Sequence, residues 1–283
     1  MTGKSRKLSR VFRGDGNTIV VPVDDSLIFG PFAGLHNIKS KINDIAAGNP
    51  DAILAHFGTF CFDVDISMNS IGRIINISAS TVNSNHTKKI IISSLDRAIR
   101  YDADCVAVHL NISSKFESEM LFDFGKIVSD AEVLGLPVMA IVYPRCESSD
   151  GSDNNYTKLK ESSINDYARL VCHCVRIARD LGADIIKTQY TGCPETFIKV
   201  VEAASPVPVI IAGGELVDIK DILQVAESAI RCGGKGVSFG RNIFSRTDST
   251  STIKCVASIV HEGYTSKNAF NKYFLESERS DSC

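Results

Sequence analysis

A lysine set between apolar residues is the group in this chain that most needs a chemical reason. Lys187 lies in Leu181-Gly-Ala-Asp-Ile-Ile-Lys-Thr-Gln-Tyr-Thr-Gly192, whose central residues have the length and β-branched content of a parallel strand covered on both faces. Burial disfavours an ammonium and can draw a lysine pKa from about 10.4 toward neutrality, where the free amine attacks a carbonyl to give a Schiff base. The plainer reading is a lysine at a strand end, its stem buried and its ammonium reaching water. Other reactive groups close similar runs. The carboxylates Asp24 and Asp25 follow Asn17-Thr-Ile-Val-Val-Pro-Val, the phenol of Tyr143 stands near the end of Leu136-Pro-Val-Met-Ala-Ile-Val-Tyr-Pro144, Gly213 and Gly214 follow Pro208-Val-Ile-Ile-Ala212, and Gly240 and Arg241 follow Gly236-Val-Ser-Phe239. An amine, an acid, a tyrosine and glycine amides able to hold a phosphate, with Arg241 as a cationic partner, are what Schiff-base chemistry on a sugar phosphate requires. Taken singly they say less: a glycine pair ending a strand is usually a turn, and Arg241 can equally be a surface or interface residue.

These groups need a scaffold that brings strand ends together. The runs Asn17–Asp24, Asp51–Phe57, Ile74–Ala79, Cys105–Asn111, Leu136–Pro144, the Lys187 segment, Pro208–Gly214 and Gly233–Asn242 read as strands. Between them the apolar spacing predicts helices over Leu35–Ala47, a weaker one ending near Arg73, then Lys88–Tyr101, Glu117–Leu134, Ser163–Asp180, Pro194–Ala204 and Asp218–Cys232, with Ser251–His261 and Lys267–Glu276 to finish. Eight strand-then-helix units predict an α/β chain folded as a single (β/α)8 barrel over residues 1–283, with its active site at the carboxyl ends of the strands. An open doubly wound sheet is the alternative, disfavoured because no early Gly-x-Gly-x-x-Gly fingerprint is present. In a barrel, strand alternation predicts that only one of Asp24 and Asp25 aims inward, and that Asp25 points away from the interior.

Composition bounds the function classes. The 283 residues carry a formal net charge of -2 and no basic run that would suit a nucleic acid, and no stretch approaches the roughly 18 apolar residues of a membrane helix. Residues Met1–Arg13 form a basic tail without the apolar core of a secretory signal, so the chain is expected to be cytoplasmic. Nine cysteines show no Cys-x-x-Cys spacing and read as reduced thiols. Cys172-His173-Cys174 suggests a metal cluster only until it is placed on a helix, where residues two apart point about 200° from each other. No metal and no cofactor are expected, no membrane or nucleic-acid partner, and assembly as a homo-oligomer.

The motifs together resemble the archaeal-type class I aldolase family, which includes archaeal fructose-bisphosphate aldolases and aminodideoxyheptulosonate synthases. The resemblance runs from Gly3-Lys4 to Ile259-Val-His261. It rests on Leu8-Ser-Arg-Val-Phe12, Val21-Pro-Val-Asp24, Gly30-Pro31 with Gly34-Leu35, Tyr143-Pro-Arg145, the Lys187 segment, Ala212-Gly-Gly214 and Gly240-Arg-Asn-Ile-Phe244, and it looks closest to the aminodideoxyheptulosonate synthases. It implies a lysine-imine enzyme that joins a phosphorylated ketose to an aldehyde such as aspartate semialdehyde. Lys187 matches the Schiff-base lysine, Tyr143 the proton-moving tyrosine, Asp24 the assisting aspartate, and Gly213, Gly214, Gly240 and Arg241 the phosphate cradle. Two positions depart from the family: Asp24-Asp25-Ser26 stands where Asp-His-Gly is usual, making Asp25 a specificity candidate, and Glu215-Leu216 stands where Pro-Lys is usual. Fructose-bisphosphate cleavage, and a catalytically inactive barrel with a binding role, are the alternative functions.

Overall fold

The computed structural model describes residues 3–31, 34–62, 70–81, 83–84 and 86–275. Eight parallel strands close into a barrel: β1 (Thr18–Pro22), β2 (Ala52–Ala55), β3 (Gly72–Asn76), β4 (Cys105–Ile112), β5 (Val138–Pro144), β6 (Ile185–Gln189), β7 (Val209–Ala212) and β8 (Gly236–Ser238). Each strand pairs with the next in sequence, and β1 pairs with β8 to complete the ring.

Alternation along the strands sorts the apolar residues into two layers. Val20, Leu54, Ile74, Ala107, Met139, Ile141, Ile185 and Ile210 fill the barrel interior. Their neighbours Ile19, Val21, Ile53, Ile75, Val106, Val108, Ile186 and Ile211 face outward and pack under the surrounding helices, chiefly Glu117–Leu134, Ile164–Asp180, Pro194–Ala204, Ile219–Arg231 and Ser249–Val260. The same alternation fixes what stands above the interior layer. Lys187 points the same way as Ile185, and Tyr143 the same way as Met139 and Ile141, so both aim into the barrel at its carboxyl end.

The opposite end is closed by the basic segment near the start of the chain, which is a helix, Gly3–Val11, rather than a tail. Leu8, Val11 and Phe12 pack against the interior layer. The cations around them meet aspartates that precede strands: Lys4 reaches Asp184 at 3.1 Å, Arg10 reaches Asp104 at 3.1 Å, and Arg13 pairs with Asp51. The same aspartates accept backbone N–H groups of neighbouring strands or their leads, from Val138 (2.9 Å), Arg73 (2.9 Å) and Ile19 (2.6 Å) respectively. Gly72 permits the close approach, since a Cβ there would lie 2.6 Å from the Arg10 carbonyl oxygen.

His261, just past helix Ser249–Val260, joins this cluster through Nδ1 to Asp15 (2.8 Å) and Nε2 to Asp51 (3.0 Å). Burial pulls its pKa down, but the hydrogen bonds to Asp51 and Asp15 outweigh that and the net shift is upward. A folded-state pKa above the unfolded value, about 6.5, stabilises the fold fully below that pH and is lost as pH rises through the folded value. His261→Gln should therefore cost about 1.5–3 kcal/mol at pH 6, the scale of a hydrogen bond to a charged group, and less at pH 9. Denaturant titrations at the two pH values check this; equal losses would show that the imidazole's charge is irrelevant.

Several elements differ from expectation. The predicted helix Lys88–Tyr101 is instead extended at its start, where Ile90–Ile91 pairs antiparallel with Ser78–Ala79, and only Leu95–Arg100 is helical. Three consecutive isoleucines, Ile90 to Ile92, favour the extended form. The helix expected to end near Arg73 spans Phe57–Phe62, Arg73 lies in β3, and residues 63–69 are outside the described residues. The eighth strand stops at Ser238, and Arg241 begins a short helix, Arg241–Phe244. The final helix is Ser266–Phe270 followed by a π-helical turn, Asn271–Leu275; Glu276 lies outside the described residues.

Candidate active site

A cavity of about 650 Å³ opens at the carboxyl ends of the strands. All the sequence-derived candidates line it: Lys187, Tyr143, Asp24, Asp25, Gly213, Gly214, Gly240 and Arg241. His56 just past β2, Asn76 of β3, His109 of β4, Gln189 of β6 and Ser238 of β8 line it as well.

Lys187 sits between Ile141 of β5 and Ile210 of β7 and is 7 % exposed. Burial lowers its pKa, opposed by the charges of Asp24 and Asp25 and assisted by that of Arg241. Among the described residues no acceptor holds its Nζ, so the amine is free to meet a ligand. Tyr143 lies on the neighbouring strand with its ring edge-to-face against His109, centroids 5.2 Å apart. Burial raises the phenol's pKa, which keeps the proton on oxygen at neutral pH.

Asp24 accepts a hydrogen bond from Asn76 Nδ2 at 2.7 Å, which fixes its carboxylate toward the cavity. Asp25 corrects the alternation argument, because it faces the cavity too. β1 ends at Pro22, and Asp25 has helical backbone angles, φ -66° and ψ -19°, as the cap of the short helix Ser26–Phe29, so the strand pleat no longer governs its direction. Burial and the Asp24 charge push its pKa up to about 6, while Arg241, Lys187 and Lys89 pull it down.

The phosphate cradle is partly pre-empted. Gly213 spends its N–H on the Ser238 carbonyl at 3.2 Å, so it does not offer a free amide. The amides of Gly214, Gly240 and Arg241 have no acceptor among the described residues, and the buried Ser238 hydroxyl has no partner. Gly240 has to be glycine here, since a Cβ would lie 2.9 Å from the Pro22 carbonyl oxygen. Arg241 places Nε 3.4 Å from Asp25 and its guanidinium 5.3 Å from the Phe29 ring centre, so Asp25 offsets part of its charge. Glu215 and Leu216 stand exposed at the rim.

Sequence reasoning missed a second cationic group on the other side of the mouth. Lys89 is 5 % exposed and donates to Ser80 Oγ at 2.6 Å, with His86 Nδ1 at 3.2 Å. Arg145 Nη1 lies 2.7 Å from His86 Nε2, and its Nε reaches Asn155 Oδ1 at 2.6 Å and Asp153 at 3.6 Å. Because guanidinium only donates, His86 Nε2 must accept and the ring is neutral. Burial, then Lys89 and Arg145, hold its pKa at about 3. Burial and Arg145 draw Lys89 down to about 7. His109 is held neutral chiefly by burial, and its Nε2 has no hydrogen-bond partner. Arg145 was visible in Tyr143-Pro-Arg145; Lys89 was hidden by the expected helix, although alternation in an extended Lys89-Ile-Ile91 would have turned it inward.

Residues 18–246 match the model of the DeoC/LacD family aldolases. The chain is 31% identical over 261 residues to 2-amino-3,7-dideoxy-D-threo-hept-6-ulosonate synthase of Halobacterium salinarum, covering 92% of each chain. It is 30% identical over 265 residues to 2-amino-4,5-dihydroxy-6-oxo-7-(phosphonooxy)heptanoate synthase of Streptomyces griseus, covering 93% of this chain and 92% of the relative. Among solved structures, an archaeal fructose 1,6-bisphosphate aldolase superposes with a TM-score of 0.80 at 26% identity, over 92% of this chain and 100% of that one.

Proposed function

The chain belongs to the DeoC/LacD family of aldolases, and on that premise we propose that it is a lysine-imine synthase joining dihydroxyacetone phosphate, or a closely related phosphorylated ketose, to aspartate semialdehyde. The observation that carries this is a buried lysine with an unheld amine, on a barrel strand, facing an aspartate and a protonated tyrosine across one cavity. The substrates are read from the chemistry of the relatives' products. Both names describe a seven-carbon keto acid with an amino group at C2 and a ketone at C6. In the 4,5-dihydroxy compound the aldol bond lies between C4 and C5. Breaking it leaves a three-carbon ketone phosphate and a four-carbon aldehyde bearing an ammonium and a carboxylate.

In this reading Lys187 Nζ attacks the ketone carbon of the donor. Water leaves the carbinolamine, and the iminium draws electrons from the adjacent carbon as its proton departs. The resulting enamine forms the new bond to the aldehyde carbon, and water then releases Lys187. Tyr143 moves protons at the carbon-carbon bond step. Asp24, oriented by Asn76, assists at the carbinolamine and proton-transfer steps. The donor phosphate lies over β7 and β8 against the amides of Gly214, Gly240 and Arg241, the Arg241 guanidinium and the Ser238 hydroxyl. Asp25 offers a carboxylate to the acceptor's ammonium, its value as a specificity residue. Among the described residues no helix is long and apolar enough to cross a membrane and the cysteines are free thiols, which suits the cytoplasm.

Incubating the protein with dihydroxyacetone phosphate and aspartate semialdehyde should yield the seven-carbon phosphorylated keto acid by mass spectrometry. No such product, together with cleavage of fructose 1,6-bisphosphate, would transfer the assignment to the bisphosphate aldolases.

A further inference from the structure

The aldolase reading leaves one end of the cavity without a role. Around the barrel, β3, β4 and β5 stand opposite β7, β8 and β1, with Lys187 on β6 between the two arcs. The amides proposed for the donor phosphate lie on the second arc. Lys89 lies in the segment between β3 and β4, His109 points inward from β4 and Arg145 follows β5, so these three converge on the first arc. We propose that Lys89, Arg145 and His109 form a subsite that takes the carboxylate of the acceptor aldehyde. The proposal rests on the aldolase reading and adds to it where the acceptor's carboxylate sits.

The site is built, not incidental. Lys89 is almost wholly buried and held by Ser80, while Arg145 is fixed by Asn155 and by the neutral His86 between the two cations. Burying two cations side by side is costly unless an anion joins them. His109 supplies a second, independent sign: its buried Nε2 has no partner, although it lines the cavity. Unpaired buried polar atoms are rare, and a ligand is a common reason for one. The charge also selects the anion. Asp153 lies 3.6 Å from Arg145 and offsets much of its charge, and Lys89 is only partly charged, so the small net positive charge matches a carboxylate better than a dianionic phosphate.

The test compares three aldehydes with dihydroxyacetone phosphate as donor: 4-oxobutanoate, which carries a carboxylate; butanal, which carries no charge; and glyceraldehyde 3-phosphate. In Lys89→Met the ratio of kcat/KM for 4-oxobutanoate to that for butanal should fall by about 10-fold or more, the scale of one charge-assisted hydrogen bond, and Lys89→Arg should recover part of it. Equal losses for 4-oxobutanoate and butanal would overturn the subsite, and so would a greater loss for glyceraldehyde 3-phosphate than for 4-oxobutanoate. If Lys89→Met does not fold, Arg145→Gln is judged on the same ratio. Borohydride trapping of the donor on Lys187 separates the two layers of the argument. Trapping with an unchanged ratio overturns the subsite alone; no trapping in the unsubstituted protein overturns the aldolase reading and the subsite with it.

Discussion

Replacing Lys187 with methionine should lower the rate of carbon-carbon bond formation by about 10⁴-fold or more and abolish the borohydride-trapped adduct with a phosphorylated ketose, because the electron-withdrawing imine is assigned to its amine. Methionine fills a similar volume without a charge to desolvate, so folding stability should hold or rise while activity disappears. The sharpest rival is Lys89, which is also buried in the cavity and is drawn down to about 7, where a substantial fraction is free amine. Its pKa does not disqualify it; its hydrogen bond does. Lys89 donates to Ser80 Oγ, whereas Lys187 projects from β6 with its Nζ unheld. Peptide mapping of the trapped protein decides the matter, and an adduct on Lys89 with Lys187 unmodified would reverse the assignment.

Tyr143→Phe should slow turnover by about 10²- to 10⁴-fold, the usual contribution of a positioned proton donor, while trapping on Lys187 persists. The substitution keeps the ring and its edge contact with His109, so the loss isolates the hydroxyl. Burial holds that hydroxyl protonated through the neutral range, which suits a group that must donate first and accept later. Turnover equal to that of the unsubstituted protein would place the proton transfer on another group, with Asp24 the first candidate.

What was legible in the sequence follows from how far each signal depends on local chain alone. The strands carrying Lys187 and Tyr143 announce themselves by runs of β-branched residues, and alternation within the run fixes the direction of the side chain. Asp25 escaped because alternation holds only while the strand lasts, and β1 stops three residues earlier. Lys89 escaped for a nonlocal reason. Its inward direction depends on Ile90–Ile91 pairing with Ser78–Ala79, a partner that no local pattern around Lys89 reveals. The amide of Gly213 was counted as available because a glycine pair says where the backbone turns, not which carbonyl of β8 it meets. The helix Gly3–Val11 was hidden by its composition, since only Leu8, Val11 and Phe12 mark the side that closes the barrel.

That helix also sets an order of events during synthesis. Nine residues are too few for a stable isolated helix in water, where about 12–15 are marginal. Its cations Lys4 and Arg10, and Arg13 just past it, find their partners at Asp184, Asp104 and Asp51, so the segment made before every strand waits longest for its final seat. Until Asp184 has left the ribosome the lower mouth of the growing barrel stays open and its interior side chains are wet. Contacts between residues so far apart along the chain form slowly. Docking of this helix thus marks the moment when at least five of the eight strands have been made, and a fluorescent label beside Phe12 would time barrel closure from the inside.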